Sequence, residues 1–481
     1  MDASLTNEDL APTTADKRTW SRWHIAALWV GMAICIPTYT LASGLVDKGW
    51  SWAAAVGSIA LGNLVVLVPM ILNAHAGTKY GIPFPVLVRA PFGVRGANVP
   101  ALLRAFVACG WFGIQTYIGG TAIYAVVRVF AGGYTEQRMP VLGIGPVELG
   151  CFLAFWALQV FIIMRGIESI RVLEAWSAPF LLAVGVALFA WAWWRVGDLG
   201  QMLTDPPTVR NVGIGALFGA GLTSAVSFWG TLALNIPDFS RFAKSQKEQV
   251  VGQAVGLPAT MAAFAFVGAA VTNATVIIFH ERISDPVALL GRIGGPVMTV
   301  IAMIALLVAT LTTNLAANVV SPANDFSNVA PKKISFKKGA LITAGLGIAI
   351  LPWRLYNDAG AYLFTWLLGY GAMLGSVGGV MIADYFAVRR MQLDLAGLYD
   401  RKGPYAYTGG VNWIAMVALA AGIAPNVPGF LAALGVVEVG PTWATIYDWA
   451  WFVAFFVSAT LYLLGMFVLR PKPAPVAVSP S

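Results

Sequence analysis

The chain has 481 residues, of which 58% are hydrophobic and 11% charged, with a mean hydropathy of +0.74. A soluble protein carries about 25% charged residues, and no soluble core absorbs this much apolar sequence, so the composition excludes a water-soluble globular protein. The net charge of +8 does not mark a nucleic-acid binder, because 22 of the 30 Lys and Arg fall on the membrane side of the N-terminus and 8 on the other.

Residues 1–22 are polar and lack an apolar core, so they read as a cytoplasmic tail and not as a cleavable signal peptide. Twelve apolar runs follow, at 23–43, 52–76, 100–131, 147–165, 171–195, 213–235, 254–279, 297–320, 338–352, 361–387, 411–435 and 446–469. Each is taken as a transmembrane helix, which needs about 20 residues. The third and tenth are long enough to tilt or to extend past the bilayer. Residues 470–481, with Pro471-Lys472-Pro473-Ala474-Pro475, read as a disordered cytoplasmic tail. An even number of spans and the positive-inside rule put both termini in the cytoplasm, and the expected location is the inner (cytoplasmic) membrane. Cys35, Cys109 and Cys151 all lie in spans, which disfavours a disulfide framework.

Two segments 200 residues apart are alike. Trp29 to Tyr39 in span 1 shares Trp, Ala, Ile and Pro in register with Trp229 to Phe239 in span 6. Spans 1 and 6 run in opposite directions, so this pattern predicts an inverted five-plus-five repeat with broken first helices. The first repeat would cover 23–195, the second 213–390, and residues 411–469 would add two helices.

Span 8 carries the most unusual polar run, Leu311-Thr312-Thr313-Asn314-Leu315-Ala316-Ala317-Asn318. Polar groups are costly in lipid unless they face a cavity or another helix. Asn314 and Asn318 lie one turn apart on one face. Pro37 disturbs the turn before it, and freed carbonyls at membrane depth are tolerated where they bind something. The carbonyls of Gly31 and Ile34, with the hydroxyls of Thr312 and Thr313, are thus candidate ligands for a cation.

The motifs Trp111-Phe-Gly-Ile-Gln115, Asn235-Ile-Pro-Asp-Phe239, Thr312-Thr-Asn-Leu-Ala-Ala-Asn318, Ala383-Asp-Tyr-Phe386 and Arg89-Ala-Pro-Phe-Gly93 resemble the nucleobase:cation symporter family. Among its hydantoin, allantoin, uracil and cytosine permeases, the chain looks most like the hydantoin and allantoin branch. The resemblance implies an all-α LeuT-type fold with ten core helices plus two. It implies a substrate held between Trp111 and Trp229, with Gln115 and Asn318 hydrogen-bonding it and Phe228 contributing main-chain groups. It further implies a sodium site from the carbonyls of Gly31, Ile34 and Ala309 and the hydroxyls of Thr312 and Thr313. Cys35 departs from the hydantoin permease pattern, which has an amide near the ligand, and leaves the substrate open.

The chemistry of these side chains agrees. Indoles suit the two faces of a planar ring, and Gln and Asn supply both donor and acceptor to an imide edge. No Asp, Glu, Lys or Arg is expected deep in spans 1, 3, 6 or 8, where Arg104 and Asp238 lie toward the ends. A site without fixed charge favours a neutral ligand. The reading is a secondary active transporter, working as a monomer, that imports a neutral heterocyclic amide with sodium and needs no cofactor. A proton-driven permease of the same fold is the alternative, with Asp238 as its carboxylate. An enzyme would need a nucleophile, base or metal cluster in the spans, and a channel would need a polar-lined pore. Neither pattern is present in the sequence.

Overall fold

The structure, a computed structural model, describes residues 2–131, 136–165, 167–204, 214–355 and 365–469. The expected C-terminal tail, 470–481, lies outside the described residues. Among the described residues the chain is helical, with only isolated backbone bridges at Trp20–Ala243 and Thr408–Val411. A helix satisfies its own backbone polar groups, which an apolar run in lipid cannot do through water.

Among the described residues, nine helices are long and apolar enough to cross a membrane. The bent pair Arg22–Ala33 and Ile36–Asp47, which meet at 56°, supplies a tenth span. The other two of the twelve apolar runs are helical but differently built. Run six is divided into Ile214–Phe228, Gly230–Asn235 and Pro237–Ser240. Run nine forms Phe336–Ala349, and its 14 residues reach about 21 Å, short of a hydrocarbon core about 30 Å thick. Span 3, by contrast, runs from Asn98 to Phe130 over 33 residues, which at about 50 Å exceeds the core.

The break in span 1 is not at Pro37. It falls at Ile34 and Cys35, and Pro37 occupies the first turn of the second half. That turn needs no partner for its N–H groups, so proline fits there. Pro237 likewise opens a short helix, after a first interruption at Trp229.

Span 8 also ends later than expected. Helix Pro296–Asn318 continues, after an interruption at Val319, into Val320–Val329. The extension looks polar in sequence, yet Ser321, Asn324, Asp325 and Ser327 are all fully buried. Their neighbours are protein: spans 3 and 9 pack against this segment.

Glycines in span 10 allow close approach to span 12. A Cβ at Gly375 would lie 2.6 Å from the Trp451 carbonyl oxygen, and one at Gly379 would collide with that of Phe455. The N-terminal segment is tied to the bundle at Arg241, Tyr399 and Ser327. Arg241 donates to the Asp9 carbonyl at 2.8 Å, Tyr399 to that of Leu10 at 2.7 Å, and Asn7 to Ser327 Oγ at 2.7 Å. The largest apolar core joins spans 1, 3, 6 and 8, and the candidate site lies at that junction.

Candidate functional site

The six residues expected at the ligand site line one cavity. Cys35 comes from the break in span 1, and Trp111 and Gln115 lie one turn apart on span 3. Phe228 and Trp229 flank the interruption of span 6, and Asn318 ends the first part of span 8. The cavity has a free volume of about 20 Å³, room for about one water. A heterocycle therefore enters only if the walls move apart.

Aromatic rings form most of the wall. Trp111 meets Phe228 edge-on at 5.6 Å, and Phe228 meets Trp229 at 5.1 Å. Phe228 ends its helix, so its carbonyl lies in a last turn that the helical ladder leaves free. Tyr370 donates to the neighbouring Ser227 carbonyl at 2.9 Å and steadies that end.

The polar groups of the wall are unevenly satisfied. Gln115 Oε1 and Trp229 Nε1 are both buried without a hydrogen-bond partner. One is an acceptor and one a donor, the two functions that an amide edge of a ring complements. Asn318 donates its amide N–H to Asn314 Oδ1 at 2.9 Å. Asn314 in turn donates to Phe112 O at 3.1 Å, Thr116 Oγ1 at 3.2 Å and Gln159 Oε1 at 2.7 Å. Asn314 does not line the cavity. It fixes Asn318 and cross-links spans 3, 4 and 8. Cys35, at the N-cap of helix Ile36–Asp47, has its Sγ 3.3 Å from Thr38 Oγ1 in that helix's first turn.

Next to this cavity is an oxygen-rich junction of spans 1 and 8. The Thr312 hydroxyl is within reach of the carbonyls of Gly31 at 3.4 Å, Val308 at 3.1 Å and Ala309 at 3.0 Å. The Thr313 hydroxyl reaches Gly31 at 3.3 Å and Met32 at 3.1 Å. Two hydroxyl protons face four carbonyls, so oxygen lone pairs are in surplus, which suits a hard cation. Gly31, Ala309, Thr312 and Thr313 are thus brought together. Ile34 approaches through its side chain, which packs with Ala309 and Leu181. Met32 is an addition that the sequence did not single out. Thr313 also lines the ligand cavity, which makes the two sites neighbours.

Charged residues are buried toward the ends of spans 3 and 6, where the sequence put Arg104 and Asp238, and Asp325 joins them in the extension of span 8. Arg104 and Asp325 are both fully buried, with Nη1 and Oδ2 3.9 Å apart. Arg104 also donates to Asn235 Oδ1 at 3.1 Å and to the carbonyl of Ala317, a cavity residue, at 3.1 Å. Asp238 is buried nearby and accepts from Phe84 N–H at 3.1 Å and Asn324 Nδ2 at 3.2 Å. Asp325 escaped the sequence reading because span 8 was ended at residue 320. The signal was the Ser321–Asn324–Asp325–Asn328 spacing, one polar helical face that lipid could not solvate.

Comparison with known proteins agrees with this architecture. Residues 12–454 match the family described as permease for cytosine/purines, uracil, thiamine, allantoin. The chain is 45% identical to the purine-uracil permease NCS1 of Arabidopsis thaliana over all of this chain and 80% of the relative. It is 40% identical to the allantoin permease of Bacillus subtilis, covering 97% and 94% of the two chains. Mhp1, a nucleobase-cation-symport-1 family transporter solved closed with bromovinylhydantoin bound, is 26% identical with a TM-score of 0.79, each chain covered to 96%. Its inward-facing form matches with a TM-score of 0.77, covering 97% of this chain and 94% of that one, at 27% identity. The chain belongs to this permease family and is a multi-pass membrane transporter, not an enzyme.

Proposed function

We propose that this family member moves a neutral, planar heterocyclic amide across the membrane together with sodium, by alternating access. The substrate class is that of the allantoin, uracil, purine and hydantoin permeases. The observation that carries the reading is the meeting of Cys35, Trp111, Gln115, Phe228, Trp229 and Asn318 around one cavity, with an unpartnered buried acceptor and donor in its wall. The rings would hold the faces of the ligand, and Gln115, Asn318 and the Phe228 main chain would read its edge.

Sodium is preferred because the junction of Gly31, Ala309, Thr312 and Thr313 offers neutral oxygens only. The Ile34 carbonyl would complete the shell once a cation draws it in. A cation there joins span 1 to span 8 and can bias the equilibrium between conformations that separate them. Mhp1, solved both closed and inward-facing, supports such an exchange of states in the family. The proton-driven alternative would draw on the buried acids Asp238 and Asp325. The two halves would be residues 23–195 and 213–390, with both termini cytoplasmic as the distribution of Lys and Arg requires.

The test is uptake of labelled allantoin, uracil and hypoxanthine in a bacterium deficient in their import, with sodium or choline as the cation. Sodium-dependent uptake of at least one ring, competed by its relatives, is expected. Uptake indifferent to sodium but abolished by a protonophore would overturn the coupling ion. Absence of any heterocycle uptake by properly inserted protein would overturn the substrate class.

A further inference from the structure

A second cavity, of about 400 Å³, opens where three spans end. It lies between the end of Trp52–Tyr80, the start of Gln246–Phe279 and the turn after span 10. The backbone N–H of Lys244 donates to the Trp20 carbonyl at 2.9 Å, so this cavity is on the side of the N-terminal segment. Lys79, Lys244 and Arg390 line it, and no Asp or Glu does.

The nearby acids are already engaged. Glu248 pairs with Arg22 at 2.7 Å, and Asp384 with Arg389 at 2.7 Å. Lys79 gives one hydrogen bond, to the Met391 carbonyl at 2.8 Å. Among the described residues, the Lys244 and Arg390 side chains make none. Three cations line a space that no carboxylate enters, and Glu248, the acid acting on Lys244, is tied to Arg22. An anion among the three relieves their mutual repulsion.

The walls are held by contacts that do not depend on an anion. Gln246 Nε2 donates to the His75 carbonyl at 2.9 Å, and His75 Nδ1 lies 2.9 Å from Tyr385 Oη. Tyr80 donates to the Met391 carbonyl at 2.9 Å and accepts from Leu393 N–H at 2.8 Å. Arg390 and Met391 both adopt left-handed backbone, φ 51° and 62°. That conformation is unfavourable for long side chains, and the Met391 N–H bond to the Tyr385 carbonyl, 2.8 Å, fastens it.

We propose that this cavity binds a phosphate group. Lysine and arginine supply several charge-assisted donors to a tetrahedral oxyanion. Ser245 caps the Glu248 N–H of the span-7 helix, and the N–H groups of Gln246 and Lys247 in that first turn, with the helix dipole, remain to face an anion. The place at the ends of three spans is the depth of lipid headgroups, and basic pockets between membrane helices take such headgroups. A bound phosphate would tie spans 2 and 7 to the turn after span 10. The source is an anionic phospholipid or free inorganic phosphate.

The test uses the purified full-length protein. Its thermal unfolding is followed in phosphatidylcholine nanodiscs with or without phosphatidylglycerol, and in detergent with inorganic phosphate against chloride at equal ionic strength. Stabilisation by phosphatidylglycerol alone assigns the site to a lipid headgroup. Stabilisation by inorganic phosphate as well assigns it to a free anion. Lys244→Gln combined with Arg390→Gln should weaken the apparent affinity about tenfold or more, each charge contributing to attraction at the surface. Lys244→Gln alone, at an exposed position, serves should the double variant fail to fold. Lys332→Gln with Lys333→Gln removes equal charge from another turn and should change nothing. No stabilisation by either anion, or an equal loss in both double variants, would overturn the site.

Discussion

The indole rings of Trp29 and Trp229 meet edge to face, with centroids 5.2 Å apart and planes at 90°. They hold the same position in the two similar segments of spans 1 and 6. The pair therefore joins the two interrupted helices at matching points, and it orients one face of the ligand cavity. Trp229 lines the cavity, while Trp29 is fully buried behind it.

Trp229→Ala should weaken ligand binding about 5- to 150-fold, since stacking on an aromatic ring is worth about 1–3 kcal/mol. Trp29→Ala should cost less, because it removes only an edge-to-face partner worth about 0.5–1.5 kcal/mol. Binding titrations with the best transported ring measure both. Normal affinity in a folded Trp229→Ala protein would sink the stacking model.

Gln115→Leu and Asn318→Leu should each reduce affinity at least several-fold, as a hydrogen-bonding group left unpaired costs about 1–3 kcal/mol. Asn314→Leu should differ in kind. It removes the anchor of Asn318 and the link to Gln159, so the unfolding midpoint falls together with affinity. A competition profile unchanged in both Gln115→Leu and Asn318→Leu would mark them as packing amides.

Thr312→Ala and Thr313→Ala should each abolish stimulation of substrate binding by sodium. The two hydroxyls point about 100° apart around their helix, yet both reach the Gly31 carbonyl. One ion between spans 1 and 8 can therefore use both. Linkage requires substrate to tighten sodium by the same factor that sodium tightens substrate. Titration at fixed ionic strength, with choline replacing sodium, reads this, and equal affinity in the two salts would exclude a sodium-coupled site.

Arg104→Leu should destabilise the fold by about 3–5 kcal/mol, the usual cost of stranding a buried charge. Asp325→Leu should do the same to Arg104. The double substitution should recover much of the loss, because neither charge then remains. Unfolding midpoints of the two single variants and the double variant form the cycle, and strictly additive losses would show that the pair is not coupled.

Composition and periodicity alone determined that this chain lives in a membrane as a bundle of helices, because about twenty apolar residues in lipid have few other ways to satisfy their backbone. The polar run at Thr312–Asn318 and the two indoles Trp111 and Trp229 also stood out in sequence, since lipid tolerates such groups only where protein surrounds them. The tertiary structure decided the rest. Whether a helix breaks before or after a proline depends on which carbonyls find partners. Hence the break at Ile34 and Cys35, with Gly31 and Met32 turned toward Thr312 and Thr313, was out of reach of the sequence. Asp325 lies past residue 320, where the apolar run ends, and only the packing of spans 3 and 9 shows that it is buried. The distances that make Cys35, Trp229 and Asn318 one site join residues up to 283 positions apart, and only packing sets them.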